Sequence, residues 1–133
     1  MNLGSSVDII TEWDIVAARQ LGRNEAKDVG FGTVDQARIT TAISELARNI
    51  YLYAGKGKIE IRRIKEGNLR GLLVIASDKG PGILDIRKVM EDGYTTSGGL
   101  GAGLPGVKRL MDDFKIETVL GEGTTISASK LLR

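Results

Sequence analysis

The sequence predicts an α+β fold, a two-layer α/β sandwich whose helices gather on one face of a mixed or antiparallel sheet. Three observations predict it. Apolar periodicities run as strand, two helices, two strands, two helices, two strands, an order that does not suit the regular alternation of a doubly wound parallel sheet. The 133 residues suffice for one core without staples and leave no room for a second, so residues 1–133 are read as a single domain. Glycine-rich turns separate the segments, and no linker, repeat or low-complexity stretch interrupts them.

The elements follow in order. Ser6 to Ile10 alternates loosely as a short strand, ended by Thr11, which is placed to cap a helix with Asp14 three residues on. In that first helix Trp13, Val16, Ala17, Leu21 and Ala26 recur at helical spacing, and Val29-Gly-Phe-Gly32 stops it. Thr33 begins a long amphipathic helix reaching about Tyr53, its buried face drawn from Val34, Ala37, Ile39, Ala42, Ile43, Leu46, Ala47, Ile50 and Tyr51. Lys58 to Ile64 and Gly71 to Ser77 read as a hairpin around the polar residues 65–70, with Gly67 and Asn68 at the bend. A short helix over Leu84 to Glu91 precedes a glycine-rich run, and another over Pro105 to Phe114 has proline in its first turn, where a missing N–H is harmless. Strands Lys115 to Leu120 and Thr124 to Leu131 flank the tight turn Gly121-Glu-Gly123.

Composition removes several functional classes. Without cysteine there is no disulfide framework or thiolate metal site, and without histidine no imidazole base, ligand or phosphoacceptor, so carboxylates must do any acid–base work. Nineteen Lys and Arg against seventeen Asp and Glu leave a formal charge of +2, scattered along the chain, which argues against a nucleic-acid partner. The opening residues lack the pattern of a secretory leader, and no apolar run approaches the roughly 18 residues of a membrane span. A cytoplasmic protein with no membrane partner is expected.

Three motifs carry chemistry. Glu45 and Asn49 lie four residues apart on the long helix and project from one face. An isolated pair of this kind is ordinarily a solvated helix face. Here an Asn amide oxygen offers a hard neutral ligand for Mg²⁺, and a Glu one turn earlier can take a proton from an attacking hydroxyl, the division of labour that phosphoryl transfer needs.

Asp78 ends the apolar strand Leu72 to Ala76 and precedes Lys-Gly-Pro-Gly. A carboxylate there can accept from the adenine amino group, with Gly80 and Gly82 removing side chains where a flat base lies against the main chain and Pro81 stiffening the bend. An ordinary Asp-x-Gly turn would look the same in isolation.

Gly98, Gly99, Gly101 and Gly103 free backbone N–H groups to face phosphate oxygens just before a helix N-terminus. The run is neither a Walker A loop, lacking Gly-Lys-Ser/Thr, nor the dinucleotide fingerprint, lacking a strand leading into it. With hydroxyls from Thr95, Thr96 and Ser97, residues 92–103 are expected to close on nucleotide as a lid.

With these motifs in hand, the chain resembles the GHKL superfamily, whose Bergerat ATP-binding fold is shared by gyrase-type ATPases, Hsp90 chaperones, MutL and histidine kinases. The resemblance spans nearly the whole chain. It implies that Glu45 and Asn49 form the N box, that Asp78, Gly80 and Gly82 bind adenine, and that Gly98, Gly99, Leu100, Gly101, Ala102, Gly103 and Leu104 hold the phosphates. It further implies that Gly123-Thr124 positions the base region, with Thr124 among the nucleotide contacts and Asn49 on the metal. Thr11 to Gln20, Glu45 to Ile50 and Thr95 to Gly106 look closer still to the serine/threonine switch kinases of bacterial stressosomes.

That resemblance implies a kinase that uses ATP and Mg²⁺ to phosphorylate Ser or Thr on STAS-domain scaffold proteins, leaves them, and activates a PP2C-type phosphatase. A histidine kinase would need a phosphoacceptor histidine and dimerisation helices, and gyrase-like or chaperone ATPases need transducer domains. Two alternatives stay open: an anti-sigma factor kinase that sequesters a sigma factor, and a non-catalytic regulator whose shape is set by nucleotide. A base at Glu45 favours catalysis. Trp13, Phe31, Tyr51 and Tyr53 are read either as core or as a docking face, aromatic residues on amphipathic helices being more often core.

Overall fold

The computed structural model describes residues 4–91 and 103–133. Its elements run β1 (Gly4–Ile9), α1 (Glu12–Val29), α2 (Thr33–Tyr53), β2 (Gly57–Glu66), β3 (Leu69–Asp78), α3 (Ile86–Val89), α4 (Gly103–Leu110), β4 (Asp113–Val119) and β5 (Gly123–Leu131). This is the order the periodicities predict. Of the two sheet types left open, the sheet takes the antiparallel one: the strand order is β1-β2-β3-β5-β4 and all four pairings are antiparallel.

The helix ends form where side chains can replace missing main-chain partners. Asp14 reaches back so that one carboxylate oxygen accepts from the amides of Thr11 at 2.8 Å and Ile10 at 2.9 Å. At the other end of α1, Gly30 takes φ +117, a left-handed conformation, and donates to the carbonyls of Ala26 and Lys27. Lys130, 9 % exposed, donates from Nζ to the carbonyl of Leu110 at 2.9 Å and so satisfies the end of α4 with a cation at the negative pole of the helix.

The core lies between one face of the sheet and the helices. Ile59 and Ile61 of β2, Leu72, Val74 and Ala76 of β3, and Ile126 and Ala128 of β5 are buried on one side of the pleat, each two residues from the next. Against them α2 presents Ile39, Ile43, Leu46 and Ile50. The buried stripe of α1 differs from the expected one. It consists of Ala18, Gly22, Ala26 and Val29, while Trp13 is 80 % exposed and Val16 50 %. Steric demand explains the shift: a Cβ at Gly22 would lie 2.2 Å from Ile43 Cδ1, so the helices meet through α1's small residues, with Leu21 partly buried against the core and Trp13 and Val16 turned outward. Val34, expected on the buried face of α2, is likewise exposed. Phe31 is core and Tyr51 packs against it.

Three boundaries move. Pairing of β2 with β3 continues to Glu66 opposite Leu69, which shrinks the expected six-residue turn to Gly67-Asn68, with Gly67 at φ +58. The helix expected over Leu84 to Glu91 contracts to α3, capped by Asp85, whose carboxylate accepts from Lys88 N at 3.2 Å. The helix expected to reach Phe114 stops at Leu110, because Asp112 N already donates to Ser129 O and Phe114 belongs to β4. No helix among the described residues is long and apolar enough to cross a membrane.

One row of the sheet draws a residue from every strand. Ile9, Gly57, Asp78, Thr124 and Thr118 stand side by side across β1, β2, β3, β5 and β4. Gly57 lets the end of α2 settle on this row, since a Cβ there would meet Ser77 O at 2.4 Å and Ile50 Cγ2 at 2.7 Å.

Candidate functional site

A cavity of about 410 Å³ opens at this end of the sheet, within the range of small-ligand sites. The C-terminal half of α2 supplies one wall through Glu45, Asn49 and Tyr53, spaced by four and therefore stacked on one face. Asp78 and Thr124, paired in the ladder, supply the floor. The segment 81–85 with α3 forms the rim, and Gly103 and Leu104 bring in the first turn of α4.

Glu45 is 5 % exposed, an unusual setting for a carboxylate, and its Oε1 lies 3.7 Å from Nη1 of Arg48 one turn along. A buried carboxylate facing a cavity can take a proton from a group brought into that cavity. Asn49, one turn on and more exposed, presents an amide whose oxygen suits a hard cation. Among the described residues no three acidic side chains cluster as a metal site, so a cation here would take Asn49 as one ligand and the rest from phosphate and water.

Asp78 commits Oδ1 to the amide of Gly80 at 2.8 Å. That bond fixes the carboxylate's orientation at the strand end. Beside it the amide of Ile83 donates to Thr118 Oγ1 at 2.8 Å, and Thr118 Oγ1 lies 2.9 Å from Thr124 Oγ1, so a chain of hydroxyls ties the rim to the floor. Thr124 is 6 % exposed and its hydroxyl is held in this chain beside Asp78.

The glycines of this region have a reason in the protein itself. A Cβ at Gly80 would come 2.7 Å from Ala54 Cβ, and at Gly82, which has φ +82, 2.8 Å from Val119 O. Both clashes are with protein, so these glycines let the segment after β3 wedge between the end of α2 and the β4–β5 turn. Gly82 also lines the cavity, whereas Gly80 acts through Asp78.

Of the residues singled out in the sequence, Glu45, Asn49, Asp78, Gly82, Gly103, Leu104 and Thr124 converge on this one cavity. Gly98, Gly99, Leu100, Gly101 and Ala102, with residues 92–102 of the lid expected over 92–103, lie outside the described residues. Tyr53, Leu84, Lys88 and Val89 line the cavity without having been picked out as site residues. The four-residue step from Asn49 to Tyr53 is a signal that could have found the tyrosine. Nothing in the local sequence marks the other three, whose place follows from how α3 folds over the rim.

The family described as histidine kinase-, DNA gyrase B-, and HSP90-like ATPase matches residues 34–133. The chain belongs to this family. ATP is the nucleotide of its kinases, and the matched span holds every cavity residue named above. Over the full length of both chains the sequence is 73 % identical to the serine/threonine-protein kinase RsbT of Bacillus subtilis (strain 168). At that identity the chain is an enzyme of the same kind, a serine/threonine protein kinase. It is 34 % identical over 102 residues to the anti-sigma F factor of Thermoanaerobacter sp. (strain X514), covering 72 % of this chain and 70 % of the relative. Among solved structures, the RsbU and RsbW domains of Rv1364c from Mycobacterium tuberculosis match 97 % of the chain with a TM-score of 0.64 at 20 % identity, the match spanning 33 % of that longer chain. The mycobacterial sensor histidine kinase MprB matches 96 % of each chain with a TM-score of 0.57 at 19 % identity. These two likenesses establish the shared fold.

Proposed function

We propose that the protein is a single-domain, cytoplasmic, Mg²⁺- and ATP-dependent kinase that phosphorylates Ser or Thr on STAS-domain scaffold proteins, then switches partner to activate a PP2C-type phosphatase in a bacterial stress response. The observation that carries the chemical half is the burial of Glu45 on the wall of the same cavity as Asn49, Asp78 and Thr124. Full-length identity to a serine/threonine-protein kinase supports the substrate class.

In this reading Asp78 and Thr124 hold the adenine end, and the first turn of α4 with Gly103 and Leu104 faces the phosphates. Asn49 would hold Mg²⁺, which supplies neutralisation of charge on the transferring phosphoryl group. Glu45 accepts the proton of the substrate hydroxyl as its oxygen bonds to the terminal phosphorus and the bond to the leaving diphosphate breaks. Arg48 steadies the carboxylate through the contact to Oε1. The partner switch is what the resemblance to the switch kinases implies. A sigma-factor partner is the second reading, favoured by the 34 % identity to an anti-sigma F factor.

The test is transfer of label from γ-labelled ATP with Mg²⁺ to a STAS-domain protein of the same genome. Label on its Ser or Thr is expected, falling about 10²–10⁴-fold in Glu45→Gln while ATP affinity holds. Undiminished transfer by that variant removes Glu45 as the base. Absence of label on any such protein, with ATP still bound, would turn the reading to a nucleotide-gated regulator.

A further inference from the structure

Among the described residues, the charge on the cavity wall is of the wrong sign for a polyphosphate. Three carboxylates line it, Glu45, Asp78 and Asp85, against a single cation among the described residues, Lys88. Glu45 is buried beside Arg48, Asp78 is tied to Gly80 N, and Asp85 is occupied as the cap of α3. Lys88 is different. Its amide is anchored to Asp85 Oδ1, which fixes where its side chain starts, and the residue itself is exposed.

We propose that Lys88 is a nucleotide-positioning residue that recognises the phosphate chain and makes the cavity prefer ATP over AMP and adenosine. The proposal rests on the nucleotide reading above and deepens it. Adenine and ribose are uncharged, so the anionic partner a bound nucleotide can offer an ammonium on this wall is its phosphate chain. A lysine acts on phosphate as a mobile point charge, and here it is carried by a short helix between the rim beside Asp78 and the segment leading to α4. Such a cation offsets part of the repulsion that three carboxylates impose on a triphosphate. It also discriminates by charge number, because each phosphate removed lowers the attraction while leaving the contacts to the base unchanged.

Calorimetric titration of ATP, ADP and AMP, with Mg²⁺ present, into wild type, Lys88→Met and Lys88→Arg tests this. Lys88→Met is expected to weaken ATP binding about five- to tenfold, as for loss of one partly solvated charged contact, and to leave AMP within about twofold. Lys88→Arg should recover most of the loss. Added KCl should lower ATP affinity more steeply for wild type than for Lys88→Met. Unchanged ATP affinity in Lys88→Met overturns the proposal. Equal weakening of ATP and AMP overturns it too, since Lys88 would then shape the cavity and not read phosphate. Wild type that binds no ATP overturns the nucleotide reading along with this one, whereas wild type that binds ATP while Lys88→Met is indifferent overturns this one alone.

Discussion

Replacing Gly123 by alanine should be among the most damaging single-methyl changes in the molecule, and Gly121, two residues away, provides its control. Gly123 has φ +136, and a Cβ built on it would lie 2.1 Å from the carbonyl oxygen of Asp78 and 2.8 Å from Lys79 Cα. Real Cβ contacts do not fall below 3.0 Å, so β5 must move from the end of β3 by about 0.9 Å at the Asp78–Thr124 pair. The obstacle is backbone and cannot swing away. Holding a non-glycine residue in this region costs about 1–3 kcal/mol, and overpacking adds a further ~1–3 kcal/mol. Together that is a large part of the ~5–15 kcal/mol by which a domain is stable. Gly121 has φ +79 with nothing within 4 Å of its virtual Cβ, so Gly121→Ala carries the conformational cost alone, about 1–2 kcal/mol. Urea unfolding of the two variants beside wild type measures the difference, expected at about 1–3 kcal/mol. ATP affinity should fall in Gly123→Ala and hold in Gly121→Ala, because only the first displaces the residues beside Asp78. If the two variants unfold within about 0.5 kcal/mol of one another, close to the error of such measurements, the contact between β5 and the end of β3 does not constrain the fold in this way.

Three further outcomes follow from the packing and the caps. Ile61→Ala, at a fully buried position paired with Val74, should cost about 2–5 kcal/mol in urea unfolding, and a loss below about 1 kcal/mol would mean the site collapses around the missing atoms. Trp13→Ala should leave stability within about 0.5 kcal/mol, since the indole is 80 % exposed; a loss above about 1.5 kcal/mol would place it in the core after all. The amides of Thr11 and then Ile10 hold the Asp14 carboxyl below its ordinary 3.8, so its stabilising contribution is full above that value and lost as pH falls through the lower native one. The stability gap between wild type and Asp14→Ala should therefore be constant from neutral pH down to about pH 5 and close below it, and a gap unchanged at pH 3 would contradict the capping role.

The order of elements, and the residues of the helix and strand ends that line the cavity, were legible because each rests on local rules. The Thr11–Asp14 cap, the stop at Gly30 and the hairpin bend at Gly67-Asn68 need only the neighbouring sequence. What failed was the choice of stripe on α1. Trp13 and Val16 score as apolar at helical spacing, yet the face that packs is that of Ala18, Gly22 and Ala26, where Gly22 admits Ile43, and that depends on a partner 21 residues downstream of Gly22. Hydrophobicity alone ranks the large side chains first, whereas close helix contact selects the small ones. Lys88 and Leu84 escaped for a related reason: they reach the cavity through the course of the rim over the sheet end, a long-range outcome that leaves no spacing in the chain.

Motif glycines near a ligand site are commonly read as room for the ligand, and here three of them are required by the protein before any ligand arrives. A Cβ at Gly80 would meet Ala54, one at Gly82 Val119 O, and one at Gly123 Asp78 O, and each close approach holds a segment that walls the cavity against its neighbour. The effect is mechanical. Gly80 brings the segment after β3 onto the end of the helix that carries Glu45 and Asn49, Gly82 locks that segment against the β4–β5 turn, and Gly123 brings Thr124 beside Asp78. A side chain at any of the three would spread the walls and misplace the carboxylate at the strand end relative to the one on the helix. Phosphoryl transfer depends on positioning more than on covalent chemistry by the protein, so spreading of this kind would cost activity as well as stability. The glycine pattern and the cavity side chains thus form a single specification, in which close backbone packing sets how far apart the walls that carry Glu45, Asn49 and Asp78 stand.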